Sequence, residues 1–141
     1  MNCLFTCLLV VDAITSATAP QTVTADPQSV EQLVESLAYA LNYADAALML
    51  ELHWMPAWDQ LTAEEVAEAR GEAAAAMDAE RVRDAQDAGD LPLSVQLVGF
   101  RLTTEFVEVG LVFHYTGGGV EEETRRAVWR EGGWRLLTDR I

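Results

Sequence analysis

Apolar residues recur at spacings of three, four and seven from Val30 onwards, and this period predicts one long amphipathic helix that ends before Pro56. Ser29 and Gln32 have the spacing of a capping box at its start. One apolar stripe consists of Val30, Leu33, Val34, Leu37, Leu41, Leu48 and Leu52, and a second stripe on the opposite side consists of Tyr39, Tyr43, Leu50 and Trp54. A helix with two apolar stripes is expected to be buried on both sides, between a sheet and either another helix or a partner chain.

A second helix is predicted from Thr62, where Glu65 completes another capping box, to a C-terminal cap at Gly89. The segment between them is rich in alanine and glutamate, and its apolar face is thin. We therefore expect an outer helix with a solvated acidic side. Gly71 lies in its interior and is expected to kink or divide it, at a cost of about 1 kcal/mol relative to alanine.

After Pro92 the apolar pattern becomes an alternation, which predicts strands. The phase slips near Gly99, which indicates a bulge, and the run Gly117–Gly119 predicts a turn. The pair Gly132–Gly133 predicts a two-residue hairpin loop. The predicted fold class is therefore α+β, with two N-terminal helices packed on one face of a curved antiparallel four-strand meander.

The loop at Gly132–Gly133 would also set the register of the last hairpin, which is rich in tryptophan and arginine. Because side chains alternate between the two faces of a strand, the tryptophans are predicted to face the core and most arginines to face solvent. The inward group includes Trp129 and Trp134, and the outward group includes Arg126, Arg130 and Arg135. Most of this basic segment is thus predicted to be structural, balanced by the acidic run 121–123.

Arg125 and Arg140 depart from this arrangement, because the same register places both on the core face and opposite each other. Like charges directly opposite destabilise a ladder, so the pair needs a neighbouring acid, a position at the rim or an anionic ligand. Asp45 or Glu51 of the first helix could supply the acid. The competing hypothesis is that the two arginines mark the mouth of a pocket between the first helix and the sheet.

The length of 141 residues suits one domain with a single core. Residues 3–11, CLFTCLLVV, form an apolar run that is too short to span a bilayer and resembles the core of a signal peptide. Ala17-Thr18-Ala19 supplies a cleavage pattern, but no basic residue precedes the run, so an ordinary N-terminal strand is the alternative. We expect residues 1–26 to be a signal segment and polar linker and residues 27–141 to be the domain. The expected location is outside the cytoplasm or in the cell envelope, with the cytoplasm as the alternative.

Composition narrows the candidate chemistry. The formal net charge of −14 disfavours binding to phosphate backbones or anionic membranes over a broad face. Two isolated histidines, His53 and His114, make no metal site, and Cys3 and Cys7 lack the spacing of one. The sequence contains no nucleophile elbow and no strand-to-helix phosphate loop. We therefore expect no metal, no cofactor and no nucleic-acid partner.

From residue 27 to its end the chain resembles the NTF2-like superfamily of cystatin-like α+β folds. The resemblance rests on the first helix VEQLVESLAYALNYADAALML, the second helix, the meander and the ending RRAVWREGGWRLLTDRI. It implies a curved sheet wrapped on helices, a conical cavity and dimerisation through the sheet. Members include SnoaL-like cyclases, ketosteroid isomerases and epoxide hydrolases, and also non-enzymatic accessory domains, among them exported or membrane-tethered bacterial ones. The short early strand of the family is not evident between Pro56 and Thr62.

The favoured function is a non-enzymatic binding or accessory module for a protein partner or a small hydrophobic or anionic molecule, because no acid–base constellation is apparent. Its candidate ligand-binding residues are Tyr39, Tyr43, Trp54, Arg125 and Arg140. The alternative is a small-molecule lyase, isomerase or hydrolase of the SnoaL-like type. Asp45 would then be the catalytic base, since burial among apolar neighbours can move the pKa of a carboxyl group towards neutrality.

Overall fold

The computed structural model describes residues 22–139 of the chain. In chain order the α-helices are α1 Val30–Tyr43, α2 Ala46–Glu51, α3 Ala63–Ala76 and α4 Ala79–Asp87. The strands are β1 His53–Trp54, β2 Ser94–Leu102, β3 Val107–His114, β4 Val120–Arg130 and β5 Gly133–Leu137, and 3-10 helices span Pro56–Gln60 and Thr116–Gly118. Within the described range, no helix is both long and apolar enough to cross a membrane.

The prediction of one continuous first helix is wrong, because the chain leaves helical geometry at Ala44. Ala44 adopts the left-handed conformation with a φ of 52°, and the Asp45 N–H donates to the Ala40 carbonyl at 2.9 Å, as in a Schellman turn. Asp45 then caps α2 by accepting a hydrogen bond from the Leu48 N–H at 3.1 Å. Leu41 and Leu48 keep the helical spacing across this break, so the apolar period alone does not reveal it.

The predicted helix N-termini lie where the capping residues placed them. Thr62 and Glu65 form the complete capping box at the start of α3. The box at α1 is only half formed: Ser29 accepts from the Gln32 N–H, whereas the Gln32 side chain accepts from the Gln28 N–H instead of from Ser29. The predicted bond from the Ser29 N–H to the Gln32 side chain is therefore wrong, because Gln28 is the donor.

The second predicted helix is divided, but not at Gly71, which lies inside α3. The chain is extended at Met77, with φ −130° and ψ 124°, and Asp78 caps α4 by accepting from the Arg81 N–H at 2.9 Å. Asp78 offers the backbone an alternative set of hydrogen bonds, whereas Gly71 only raises the free energy of the helix. The capping aspartate therefore decides where the helix ends.

The sheet has five strands in the order β1-β5-β4-β3-β2, and it is mixed because β1 runs parallel to β5. This corrects the predicted four-strand antiparallel meander. The Leu136 N–H donates to the Leu52 carbonyl at 2.8 Å, and the Thr138 N–H donates to the Trp54 carbonyl at 3.0 Å. β1 is a short early strand located just before Pro56, and its two residues are too few to show an alternating pattern.

Two predictions about the meander are confirmed. The register of β2 against β3 shifts between Leu97 and Gly99, which is the bulge expected from the phase of the apolar pattern. The glycine run after β3 forms the 3-10 turn Thr116–Gly118, where Gly117 has a φ of 88°. Glycine adopts the positive φ of this turn without a steric penalty.

The last hairpin turns one residue earlier than predicted. Glu131 and Gly132 occupy its centre with φ values of 53° and 80°, and positive φ at both positions is the type I′ geometry that matches the twist of the strands. The observed pairs are Arg130 with Gly133, Trp129 with Trp134, Val128 with Arg135 and Ala127 with Leu136. Continued along the strands, this register brings Thr138 to the level of Arg125. Arg140, the predicted partner of Arg125, lies outside the described residues.

β5 and the neighbouring residues Ala127 and Val128 of β4 pack against apolar residues on both faces of the sheet, which corrects the prediction that helices cover one face only. The main apolar cluster joins α1 to one face of the sheet and consists of Val30, Leu33, Val34, Leu37, Leu41, Leu52, Val95, Val107, Val109, Leu111, Phe113, Ala127 and Leu136. A second cluster on the other face consists of Trp54, Trp58, Val66 and Val128, with Leu137 packed against it. Because Val66 belongs to α3, this helix covers the face that was expected to be wet.

Arg135 was predicted to face solvent, but its side chain is only 1% exposed. Its Nε donates to the Arg130 carbonyl at 3.0 Å, and its Nη1 donates to the carbonyls of Ala25 and Glu51. Its Nη2 donates to Asp26 Oδ1 at 2.9 Å. Burying a guanidinium is tolerable only when its donors are paired in this way. The Val128–Arg135 pair in the observed register turns this side chain away from Leu136 and the main cluster.

Trp129 also departs from its predicted position in the core, since it is 45% exposed. Its ring meets that of Trp134 edge to face, with centroids 5.7 Å apart. Trp134 is half-buried and packs against the main cluster. The observed register thus makes the two rings cross-strand neighbours near the turn, where α1 does not fully cover them.

Two glycine-to-alanine substitutions should change stability in opposite directions. In Gly133→Ala the new Cβ would lie 3.0 Å from backbone carbon atoms of Asp26, so we expect the free energy of unfolding to fall by about 1–3 kcal/mol. In Gly71→Ala the Cβ meets nothing within 4 Å, and we expect a gain of about 0.5–1 kcal/mol in the helix interior. Urea denaturation followed by circular dichroism measures both changes, and a stabilising Gly133→Ala would contradict the close approach.

Replacing the buried guanidinium should be far more costly. Arg135→Met keeps the length of the side chain but leaves the carbonyls of Ala25 and Glu51 without this donor, so we expect a loss of about 3 kcal/mol or more in urea denaturation. Arg101→Met is the matched control, because Arg101 forms an exposed ion pair with Glu108 that is worth about 0–1 kcal/mol. Similar losses in the two variants would show that Arg135 is not a structural centre.

Candidate ligand-binding site

Two neighbouring cavities share Arg125 and Thr138 in their walls. The first, called the chamber here, has a volume of about 240 Å³ and is lined by Ala46, Met49, Leu50, His53, Met77, Leu91, Arg125 and Thr138. The second, called the vestibule, is a more open cavity of about 450 Å³ lined by Pro56, Thr124, Arg125, Arg126, Leu137, Thr138 and Asp139. An apolar space and a polar space therefore meet at Arg125, in the middle of β4.

The breaks in the two long helices help to create the chamber. α2 begins after the turn at Ala44 and supplies Ala46, Met49 and Leu50 as an apolar wall. Met77 reaches the chamber from the extended residue between α3 and α4. The sheet contributes two polar residues to the chamber wall, His53 from β1 and Arg125 from β4. The two interruptions that periodicity failed to predict thus border this cavity.

His53 is held in one tautomer by the turn that precedes it. Its Nδ1 lies 2.6 Å from the Met49 carbonyl oxygen, and because a carbonyl only accepts, Nδ1 must carry the proton and donate. Burial lowers the pKa of His53, the nearby charge of Arg125 lowers it further, and the hydrogen bond to Met49 opposes both. The imidazole is therefore neutral at pH 7, with Nε2 as an acceptor.

Arg125 supplies positive charge between the chamber and the vestibule. Its Nε donates to Glu123 at 3.2 Å, and its guanidinium carbon lies 5.5 Å from the centre of the Phe113 ring. The side chain is 32% exposed, and its two terminal nitrogens make no hydrogen bond to another described residue. These nitrogens are donors of the kind that binds carboxylates in a planar, bidentate manner.

Of the predicted ligand-binding residues that the structure describes, Arg125 lines the chamber and Tyr39, Tyr43 and Trp54 do not. The rings of Tyr39 and Tyr43 are tilted by 41° with centroids 4.6 Å apart, and Tyr43 is 60% exposed on α1. Trp54 is buried in the second cluster, where its Nε1 donates to Asp59 at 2.9 Å. These three aromatic residues therefore do not form a common pocket. Arg140 lies outside the described residues.

The two acids proposed as partners of the arginines have other contacts. Asp45, the predicted base, uses its carboxylate to cap α2 and is not among the residues that line the chamber. Glu51 lies 3.9 Å from Arg70, whose guanidinium packs over the rings of Trp54 and Trp58. Within the described residues, Arg125 pairs instead with Glu123 on the same strand.

His53 is the site residue that the sequence placed incorrectly. It was predicted on the first helix, between two apolar stripes and at a surface or an interface, because the helical period was extended through residue 54. The structure places it in β1, where it is one of the residues that line the chamber. Pro56 disfavours helix only in the residue before it, so it did not reveal that the helix ends before His53. His114 ends β3, with its Nε2 3.1 Å from Gln96 Oε1, and it does not line either cavity.

No protein-family model and no curated protein matches this chain. A solved structure described as a "Putative NTF2-like transpeptidase" from Campylobacter jejuni is similar, with a TM-score of 0.49 and 12% identity, over 77% of this chain and 96% of that chain. A SEC-C motif containing protein from Rhodopseudomonas palustris is similar with a TM-score of 0.48 and 18% identity, over 78% of this chain and 76% of that chain. The first carries the NTF2-like description that the sequence predicted for the fold. At these identities the similarity concerns the course of the chain and says nothing about what this protein binds.

The environment of His53 should make folding stability depend on pH. The folded protein binds the imidazole proton more weakly than the unfolded chain, where the pKa is near 6.5, so this contribution is fully present above that pH and is lost as pH falls below it. In His53→Asn we expect the decrease in stability between about pH 6.5 and pH 5 to become shallower.

Urea denaturation at several pH values measures this effect, and His114→Asn is the control because His114 lies outside both cavities. A slope that responds to His114 and not to His53 would contradict the assignment.

Proposed function

We propose that this protein is a non-enzymatic binding module whose ligand is a small carboxylate with a short apolar body. The carboxylate binds the terminal nitrogens of Arg125, and the apolar body occupies the chamber. The observation that carries the proposal is the position of Arg125, which borders both an apolar cavity and a polar, more open one. An amphipathic anion matches this change of polarity.

The lining of the chamber supports an apolar body on the ligand. Five of its residues contribute apolar side chains, namely Ala46, Met49, Leu50, Met77 and Leu91. The two methionines are flexible and polarisable, so they adapt to ligands of different shape. The volume of about 240 Å³ is below the range of about 300–1,000 Å³ that is usual for drug-sized ligands, which favours a molecule of only a few heavy atoms.

The charges around Arg125 support an anion of low charge. Arg126 adds a second guanidinium to the vestibule, while Asp139 lines the same space and Glu123 already pairs with Arg125. With a net charge of −14, the chain as a whole repels anions at long range. A single carboxylate bound at short range is therefore favoured over a polyanion.

An enzymatic role with Asp45 as the base is the alternative, and the geometry supports it less well. A general base must lie within hydrogen-bond reach of the proton that it removes. The Asp45 carboxylate is engaged by the Leu48 N–H and is not part of the chamber wall. A substrate in the chamber would meet His53 and Arg125 instead.

Dimerisation through the sheet and export from the cytoplasm stay predictions. β2 lies at the end of the described sheet and exposes Val98, Phe100 and Leu102, which are 62%, 45% and 70% exposed. This is the apolar surface that a second copy would cover. The segment on which the prediction of export depends, residues 3–19, lies outside the described residues.

Removal of the Arg125 guanidinium should weaken carboxylate binding. Isovalerate is the probe, because it joins one carboxylate to a branched apolar body of suitable size. We expect Arg125→Gln to weaken its binding at least tenfold, since a charged hydrogen bond contributes about 1.5–3 kcal/mol. Titration of the ¹⁵N-labelled protein, followed by two-dimensional NMR, measures the dissociation constant and identifies the residues that respond.

Two further variants make this experiment specific. Glu123→Gln should strengthen the binding of isovalerate, because it removes the carboxylate that competes for Arg125. Arg101→Gln should leave binding unchanged, because Arg101 pairs with Glu108 on the surface and lines neither cavity. If the wild-type protein shows no shifts at Arg125 or Met49, the chamber is not a carboxylate site and the proposal fails.

A further inference from the structure

We propose that the ligand of the chamber is a hydroxycarboxylate, whose hydroxyl group donates a hydrogen bond to Nε2 of His53 while its carboxylate binds Arg125. The inference rests on the proposed function of the chamber and adds a second recognition point to it. His53 is then a specificity-determining residue, which selects a donor group on the apolar body of the ligand.

The tautomer of His53 determines which ring nitrogen can accept a hydrogen bond. Nδ1 donates to the Met49 carbonyl at 2.6 Å, and a neutral imidazole has only one N–H. The proton is therefore on Nδ1, and Nε2 on the other side of the ring presents a lone pair. A lone pair meets an O–H or N–H group favourably, but it does not attract a second carbonyl or carboxylate oxygen.

The surroundings of Nε2 determine how strongly this acceptor selects ligands that have a donor group. Nε2 makes no hydrogen bond to another described residue, and most of the chamber wall is apolar. A ligand that fills the chamber excludes water from this acceptor. If the ligand has no donor, the acceptor is left unsatisfied, which is the situation in which proteins discriminate most strongly between analogues that differ by one hydroxyl.

The protonation state of His53 keeps its Nε2 an acceptor at neutral pH. Burial and the charge of Arg125 keep the pKa of His53 below its usual value, so the imidazole does not become a donor at neutral pH. The chamber therefore contains two different recognition points: a cationic group that only donates and a neutral group that accepts. A molecule that satisfies both has a carboxylate at one end and a hydroxyl on its short apolar body.

Three acids with one carbon skeleton test this inference: isovalerate, 2-hydroxyisovalerate and 3-hydroxyisovalerate. We expect the wild-type protein to bind at least one of the hydroxy acids about fivefold more tightly than isovalerate, the effect of one net hydrogen bond. The ¹⁵N resonance of His53 Nε2 should move upfield when the hydroxy acid binds, as expected for a nitrogen that accepts a hydrogen bond, and move less with isovalerate. This measurement needs no variant and is therefore independent of any folding defect.

Two substitutions separate the role of Nε2 from that of the ring. His53→Asn retains an N–H near the Met49 carbonyl but removes the Nε2 acceptor, and we expect the preference for the hydroxy acid over isovalerate to disappear. In His53→Gln the longer amide returns an oxygen acceptor to the position of Nε2, and we expect part of the preference to return.

The outcomes distinguish this inference from the proposed function. If all three acids bind equally and Arg125→Gln weakens their binding, the chamber is a carboxylate site and the inference about His53 is wrong. If none of the acids produces shifts at the chamber, both proposals are overturned. A preference for a hydroxy acid that survives His53→Asn assigns recognition of the hydroxyl to another residue and also overturns the inference.

Discussion

The buried guanidinium of Arg135 connects parts of the chain that are distant in the sequence. It donates to carbonyls at Ala25, before α1, and at Glu51, at the end of α2, and to the Arg130 carbonyl beside the hairpin turn. The carboxylate of Asp26 pairs with it from the surface. Because a cation without these partners would be very unfavourable in the interior, the partner segments must come together for the domain to fold. A single side chain thus holds together the segment before α1, the end of α2 and the hairpin.

The candidate site depends on this arrangement. Glu51 is two residues before His53, so the bond from Arg135 to the Glu51 carbonyl helps to set the path of the chain from α2 into β1. β1 in turn is held parallel to β5 by the bonds of Leu136 and Thr138 to the Leu52 and Trp54 carbonyls. His53 therefore faces the chamber because its backbone is fixed on both sides. A site built on strands and a helix end is more precise than one built on a long loop.

The sequence predicted the parts of the fold that depend on local chemistry. The caps at Ser29 and Thr62, the bulge near Gly99 and the glycine turn after β3 all follow from residues that lie beside the feature itself. The class of fold followed from the change of apolar period near residue 92. These signals are local because capping bonds and backbone torsions involve residues that are only a few positions apart in the sequence.

The candidate site could be predicted only in part, because it depends on events that leave little trace in the pattern. Ala44 adopts a left-handed conformation that glycine usually marks, and the apolar spacing continues across it. The type I′ turn at Glu131 used a residue that rarely adopts positive φ, so the obvious glycine pair gave the wrong register. Arg125 was identified because its predicted position on the core face conflicted with its charge. His53 was not, since a two-residue strand shows no alternation and its hydrogen bond to Met49 is visible only in three dimensions.

The position of β5 has a consequence for how the domain opens. β5 has a neighbouring strand on each side, β1 and β4, and apolar or buried side chains on both faces, whereas β2 pairs only with β3 within the described residues. Backbone amides of β5 can therefore reach water only when the whole domain unfolds, while those on the outer side of β2 exchange through small local openings. The hydrogen-exchange rate along the sheet should thus rise from β5 towards β2, with β5 the slowest of the described strands to open.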